Sequence, residues 1–518
     1  MANKALFSSY LGKLIGRTDT VNKEGAPAYA LPPQHKLAQL AATGTLSRTF
    51  YAEAPQQLDD VLALAGQVSP EFLAKTAIYA RTNGHMKDMP ALLLAALSVL
   101  DPVMFARAFP HVIDNGRMLR TFVQIMRSGA VARKSLGSRP KRMIEAWLAN
   151  ATDAQIVAAS VGQQPSLADV IRMVHPKPAN PGRQALYAYL IGKPYDVALL
   201  PANVRAFEDF KRDPAGNPVP DVPFQMLTAL ELTGKQWAMI GQTAGWQMLR
   251  MNLNTFARHK AFDEKGFTQL VAKRLRDGSE IKRARVLPYQ LMAAYTAAGS
   301  TVPAEISEAL QDAMEAALVN VPNIDGRVVV LPDVSGSMAS PVTGARKGAT
   351  SKVRCIDVAA LVAAAMLRAN RQARVLPFEN DVVEITLNPR DSVMTNATKL
   401  ASIGGGGTNC SAPLARLNRE QADVDLVVYV SDNQSWMDTT GRQQTGTMTE
   451  WTKLKARNPR ARLVCIDIQP YGTTQAYDRD DILNVGGFSD DVFKVIAQFA
   501  SGDMGPAHWV GEIEKIEL

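Results

Sequence analysis

The chain has 518 residues, 47% hydrophobic and 20% charged, the balance of a soluble globular protein long enough for two to four domains. Its net charge is +8, but the excess is uneven: from Gly326 onward 21 basic residues face 22 acidic ones, while residues 1–325 carry 36 against 27. That asymmetry fits a polyanion partner for the N-terminal part, and a modest excess also fits plain solvation.

Met1–Arg17 lacks the continuous apolar core of a secretory signal. The longest apolar runs, around Ala91–Leu100 and Val358–Leu367, are too short to span a bilayer and read as buried helices. Cys355, Cys410 and Cys465 show no paired spacing, which suits a reducing compartment. A cytoplasmic protein with no membrane partner is expected.

From about Leu37 to Leu318 the pattern is helical almost throughout. Ser69-Pro70-Glu71, Asp101-Pro102 and Thr152-Asp153 read as helix starts, each with a capping side chain. Asn83-Gly84, Asn115-Gly116 and Ser128-Gly129 read as stops. Helices of about ten to fifteen residues joined by short turns suggest an α-solenoid of HEAT-like pairs, without a fixed-period repeat. The Pro-rich stretch 213–223 interrupts the pattern as a long loop.

Within this region, Asn115 to Ile144 contains no acidic residue yet carries Arg117, Arg120, Arg127, Arg133, Lys134, Arg139, Lys141 and Arg142. Arg172, His175, Lys177 and Arg183 follow. Guanidinium forks and ammonium groups near a helix entry suit phosphate oxygens; a solvated basic face is the alternative. A third cluster, Lys273, Arg274, Arg276, Lys282, Arg283 and Arg285, is diluted by Asp277 and Glu280. None of the six histidines is spaced as a metal pair, and only His175 has basic surroundings.

The segment 321–326, Val-Pro-Asn-Ile-Asp-Gly, marks a boundary between domains 1–322 and 323–518. Strands and helices alternate after it, which implies a doubly wound sheet with its site at the strands' C-terminal ends. Val375–Phe378 and Val382–Leu387 read as a hairpin forming an antiparallel edge. Pro332 cannot donate to a ladder, so strand pairing on its side should end at Leu331.

Strand Val328–Leu331 runs into Asp333-x-Ser335-x-Ser337. The loop Gly404–Gly407 leads to Thr408, and a second buried strand ends at Asp432. One carboxylate and two hydroxyls at alternate positions form a hard-oxygen set suited to Mg²⁺. Together Asp333, Ser335, Ser337, Thr408 and Asp432 resemble the metal-ion-dependent adhesion site (MIDAS) of a von Willebrand factor A (vWA) domain. Such a site keeps one position open for a partner's acidic ligand. Two carboxylates are few for a metal-dependent nuclease, so no enzymatic activity is expected.

The order of motifs resembles the Ro 60 kDa autoantigen (Ro/SS-A, TROVE-domain) family along nearly the whole chain. The stretches that carry the resemblance are Gly44–Tyr51, Gly84–Leu93, Leu136–Arg142, Ile171–Pro178, Pro223–Leu230 and Gly406–Pro413. The resemblance implies an all-α HEAT-like ring closed by the vWA domain. It implies binding of small structured noncoding (Y-like) RNA on the outer basic surface and of misfolded RNA 3′ ends in a central hole. RNA quality control, with an exoribonuclease tethered through RNA, follows from the same resemblance. Two rival readings remain: an adaptor that binds only protein through its metal, and a metal-dependent hydrolase.

Overall fold

The computed structural model describes residues 17–44, 46–284, 286, 288–317, 321–345, 353–437, 444–477, 479–487, 490–504 and 508–518. Arg285 and residues 1–16 lie outside them. The expected helix starts form by the expected means. Ser69 Oγ accepts from the Phe72 N–H at 3.2 Å and opens helix Pro70–Thr82. The Asp101 carboxylate accepts from the Val103 and Met104 N–H groups ahead of helix Pro102–Val112. Thr152 and Gln155 cap each other reciprocally before helix Asp153–Ser160.

Asn115-Gly116 is a start rather than a stop. The Asn115 side chain accepts from the Arg117 and Met118 N–H groups at 3.0 Å, and helix Gly116–Ser128 begins there. Asparagine serves at either helix end, so the dipeptide alone is ambiguous. Packing decides the case: a Cβ on Gly116 would collide with the Ala159 side chain, so the glycine lets two helices meet. Gly129 does terminate its helix, in the left-handed conformation at φ 90°.

Successive helices pack as neighbours around an apolar interior, as in the ring contacts among Phe105, Phe109 and Phe122. The Pro-rich loop belongs to this array. Its Val219 and Val222 cover a small cluster of Phe207, Phe210, Leu227 and Ile240, and Gln236 Nε2 donates to the Pro214 carbonyl at 2.6 Å.

The C-terminal region contains a five-stranded sheet ordered β4-β3-β5-β6-β8. Its strands are β3 (Val328–Pro332), β4 (Arg374–Val375), β5 (Leu426–Ser431), β6 (Arg462–Asp467) and β8 (Ile482–Gly486), all paired in parallel. Alternate residues point to opposite faces. Val330, Val428, Val464 and Leu483 pack with helix Cys355–Ala369, while Val329, Val427, Leu463 and Ile482 join a cluster with helices Ala412–Arg419 and Gly446–Arg457. Both faces are therefore covered, which explains the near-continuous apolar strands.

Two edge expectations change. β4 pairs parallel to β3, and the expected hairpin shrinks to one bridge between Phe378 and Val382. Beside that bridge the Val383 N–H donates to the Pro377 carbonyl at 2.8 Å, and Val383, Ile385 and Leu387 pack against the core. Pro332 remains in β3, because a strand residue has an acceptor as well as a donor. Its carbonyl accepts from the Phe378 N–H at 3.1 Å, and Asp333 continues the ladder by donating to the Val430 carbonyl at 3.0 Å.

A second sheet, unforeseen from the pattern, joins β1 (Thr20–Val21) and β2 (Pro27–Ala30) to β7 (Thr473–Thr474) in antiparallel order. It fastens the N-terminal segment to the C-terminal domain. Nearby, His35 Nε2 lies 2.7 Å from the Asn484 carbonyl, and Trp509 Nε1 donates to the Tyr79 hydroxyl at 3.0 Å. At the other end of the array, Glu315 pairs with Arg368 at 3.2 Å and accepts from the Val393 N–H at 2.9 Å. The helical array therefore begins and ends on the same α/β domain.

Candidate metal centre and nucleic-acid interface

Parallel pairing of β3 and β5 sets their C-terminal ends side by side, so Asp333 and Asp432 emerge next to each other. Both are buried, as are Ser335, Ser337 and Thr408. Asp333 Oδ1 accepts from the Ser335 N–H at 2.9 Å, and its Oδ2 accepts from Ser431 Oγ at 2.6 Å. The Ser335 and Ser337 hydroxyls lie 3.3 Å apart. The glycine loop is drawn in by the Gly336 N–H, which donates to the Gly406 carbonyl at 3.1 Å. Ser435 Oγ and the Trp436 N–H hold the Thr408 carbonyl. All five residues foreseen from sequence thus sit on adjoining turns. Ser431, which orients Asp333, was not foreseen; a hydroxyl one residue before a strand-end aspartate carries little signal alone.

Burial raises the Asp333 pKa above the usual carboxylate range, against the bonds from Ser335 and Ser431. Asp432 is pushed up to about 7, first by burial and then by the neighbouring Asp333. Two buried carboxylates, one of them raised by the other's charge, are what a cation between them would relieve. With three hydroxyls they offer only hard oxygen donors, so the residues fit Mg²⁺ and not a soft metal. Among the described residues, no group of three or more His, Cys, Asp or Glu side chains is placed to hold a metal ion; this centre has two carboxylates. Cys410 is buried beside it, with its N–H donating to Ser435 Oγ at 3.0 Å.

The mouth of the centre is lined by residues absent from the sequence expectations. The Tyr51 hydroxyl is in polar contact with Ser337 and with the Glu24 carboxylate, and it faces Asp432. Trp436 and Met437 are 40% and 43% exposed on the rim.

The basic stretch spreads over helices Gly116–Ser128 and Ser138–Asn150 and over Leu167–Val174, which touches both. Arg117, Arg127, Lys134, Arg139, Arg142, Arg172, His175 and Lys177 are exposed, and Arg120, Arg133 and Lys141 are half-buried. Arg117, Arg133, Lys134, Arg139, Lys141, Arg142 and Lys177 form no ion pair among the described residues. Arg120 has a buried Nε with no partner, and burial followed by the Arg117 charge lowers its pKa. Arg127 lies near Asp169; Arg172 pairs with Asp169 at 3.5 Å and donates to the Ile191 carbonyl at 2.7 Å. His175 ends its helix at φ 51°.

Arg139 and Arg142 line an open groove of about 510 Å³ with Arg107, Val103, Ala106 and Met143. Arg107 was missed, because a lone arginine on an apolar helix carries no sequence signal. Two other expectations separate from this surface. Arg183 is 8% exposed and tied to Asp153, the Leu148 carbonyl and the Ala151 carbonyl, so it is a structural clamp. In the third cluster, Arg274 pairs with Glu280 and Arg276 with Asp312, each at 2.7 Å, so much of its charge is spent internally.

Residues 327–500 match the family described as the Ro60 vWA domain. The chain is 24% identical to the RNA-binding protein RO60 of Deinococcus radiodurans, over 93% of this chain and 95% of that one. It is also 24% identical to the RNA-binding protein RO60 of Caenorhabditis elegans, over 47% of this chain and 38% of that protein. The crystal structure of the Deinococcus radiodurans RO (RSR) protein superposes with a TM-score of 0.60 at 21% identity, covering 91% of this chain and all of that one. The two share a fold.

Proposed function

From its resemblance to the Ro60 family we propose that this chain is an RNA-binding protein that grips phosphates with its basic surface. The observation that carries the reading is the cluster of cations without ion pairs around the groove of Arg107, Arg139 and Arg142. A patch of neighbouring exposed cations is the electrostatic footprint that attracts a polyanion. The RNA proposed for the outer surface is a small structured, Y-like molecule, with Arg117, Arg120, Arg127, Arg172, His175 and Lys177 extending the contact. Single-stranded 3′ ends of misfolded RNA would enter the ring, and an exoribonuclease tethered through the RNA would act on them. In this reading the protein scaffolds RNA quality control in the cytoplasm and catalyses no reaction itself. No helix among the described residues is long and apolar enough to cross a membrane.

Asp333, Ser335, Ser337, Thr408 and Asp432 would hold a divalent cation, Mg²⁺ by their chemistry. The ion would supply a fixed positive charge able to accept an acidic ligand. The half-exposed Trp436 and Met437 favour a second reading, in which this rim binds a protein partner. Purification of the full chain under nuclease-free conditions separates the two. Bound RNA, released by high salt and lost on mutation of Arg139 and Arg142, is the result expected. Protein free of RNA at low salt, with no affinity for structured RNA, would leave only the adaptor reading.

A further inference from the structure

The vWA domain does not build the mouth of its own metal centre alone. The turn between β1 and β2 lies on the loop that follows Asp432. Asn22 Nδ2 donates to the Ser435 carbonyl at 2.5 Å, and the Lys23 N–H donates to Gln434 Oε1 at 2.8 Å. The next residue is Glu24, whose carboxylate meets the Tyr51 hydroxyl. Tyr51 stands on the segment that leads into helix Ala54–Ala65 of the helical array. Its ring packs edge-on against Tyr471 at 5.2 Å, and its hydroxyl reaches Ser337 and faces Asp432. The same segment is pinned by the Ala345 N–H, which donates to the Arg48 carbonyl at 2.6 Å. Two stretches far apart in sequence from the aspartates thus converge on one side of the centre.

We propose that the metal centre is an interdomain site, in which Tyr51, held by Glu24, lines the cation's coordination sphere from the helical array and clamps the N-terminal segment onto the vWA domain when the ion is bound. The proposal rests on the metal competence of the five vWA residues. Mg²⁺ keeps several waters and tolerates little distortion, so an oxygen that positions one of them counts in its affinity. The Tyr51 hydroxyl acts as a positioning group, and Glu24 fixes the direction in which it points.

The test uses the full-length protein and Mg²⁺ alone. Calorimetric titration of wild type, Tyr51→Phe, Glu24→Gln and Asp333→Ala is combined with amide hydrogen exchange of residues 20–30 and 46–53, with and without the ion. The result expected is Mg²⁺ binding by wild type that slows exchange in both stretches. Tyr51→Phe should bind about tenfold more weakly, the scale of an outer-sphere group, with Glu24→Gln weaker in the same direction. Metal-free melting of Tyr51→Phe should fall only slightly, by the loss of one hydroxyl's contacts with Glu24 and Ser337. Equal Mg²⁺ affinity in wild type and Tyr51→Phe, or exchange unaltered by a bound ion, would overturn the clamp while leaving the vWA site standing. Absence of Mg²⁺ binding by wild type would overturn both together.

Discussion

At the centre of the metal site, Asp333 serves several groups at once. It accepts from Ser431 Oγ and the Ser335 N–H, and it raises the Asp432 carboxylate by its own charge. Asp333→Ala should therefore do two opposed things. Relief of the crowding between carboxylates favours the variant without metal, while orphaned donors at Ser335 and Ser431 cost about 1–3 kcal/mol each. With the ligand gone, Mg²⁺ should no longer raise the melting temperature, and RNA affinity should stay near that of wild type. Thermal melts with and without Mg²⁺ check this, and an equal shift in both proteins would contradict the assignment. Arg183 gives the opposite case among the cations. Its guanidinium is committed to Asp153 and two carbonyls, so Arg183→Ala should lose about 1–3 kcal/mol of stability, the scale of buried acceptors left without their donor. Chemical denaturation reads that loss, and the salt dependence of RNA binding should not move.

Among the elements, helix Ser138–Asn150 is the one whose surface is most directly testable. Lys141→Ala with Arg142→Ala should reduce the log–log salt slope of RNA binding by roughly one to two, at about 0.7–0.9 per phosphate contact. Arg107→Ala should add to the loss, because it lines the same groove as Arg142. Fluorescence anisotropy at several salt concentrations decides it, and an unchanged slope would mean the face is only solvated. Gly116→Ala tests packing instead: the added methyl would meet Ala159, and overpacking of this kind costs about 1–3 kcal/mol. Its melting temperature should fall while the salt slope holds. Elements of this kind were largely legible from residues. Ser69, Asp101 and Thr152 announce helices because a capping side chain needs only its own neighbours. Asn115-Gly116 differs because asparagine caps either helix end, and what requires the glycine is Ala159, more than forty residues later. The sheet of β1, β2 and β7 was illegible for the same reason, since strands of two to four residues leave no period and pair across the whole chain. The five vWA residues were readable because strand ends and a glycine loop signal themselves locally; Tyr51, Glu24 and Arg107 were not, because only the tertiary fold aims them at a site.

For the molecule as a whole, charge and architecture divide the labour. The basic excess lies on the helical array and the metal centre on the nearly neutral α/β domain. A structured RNA carrying a 3′ tail of about ten nucleotides should therefore bind more tightly than the same RNA without it, with little preference among homopolymer tails. Competition anisotropy compares the two, and a tail that adds nothing would confine RNA to the outer surface.

The helical array starts and finishes on one domain, but only one of these two junctions is covalent. At residues 321–327 the backbone runs through. At the other, the closure is non-covalent and includes the β2–β7 pairing, the contact of His35 with Asn484, the bond between Trp509 and Tyr79 and those of Asn22 and Lys23 to the loop after Asp432. In topological terms the chain is a clasp and not a welded hoop. If the array encloses RNA as proposed, a strand with a free end would thread through it, while an RNA with both ends blocked, or a circular one, would pass inside only if that non-covalent seam parts.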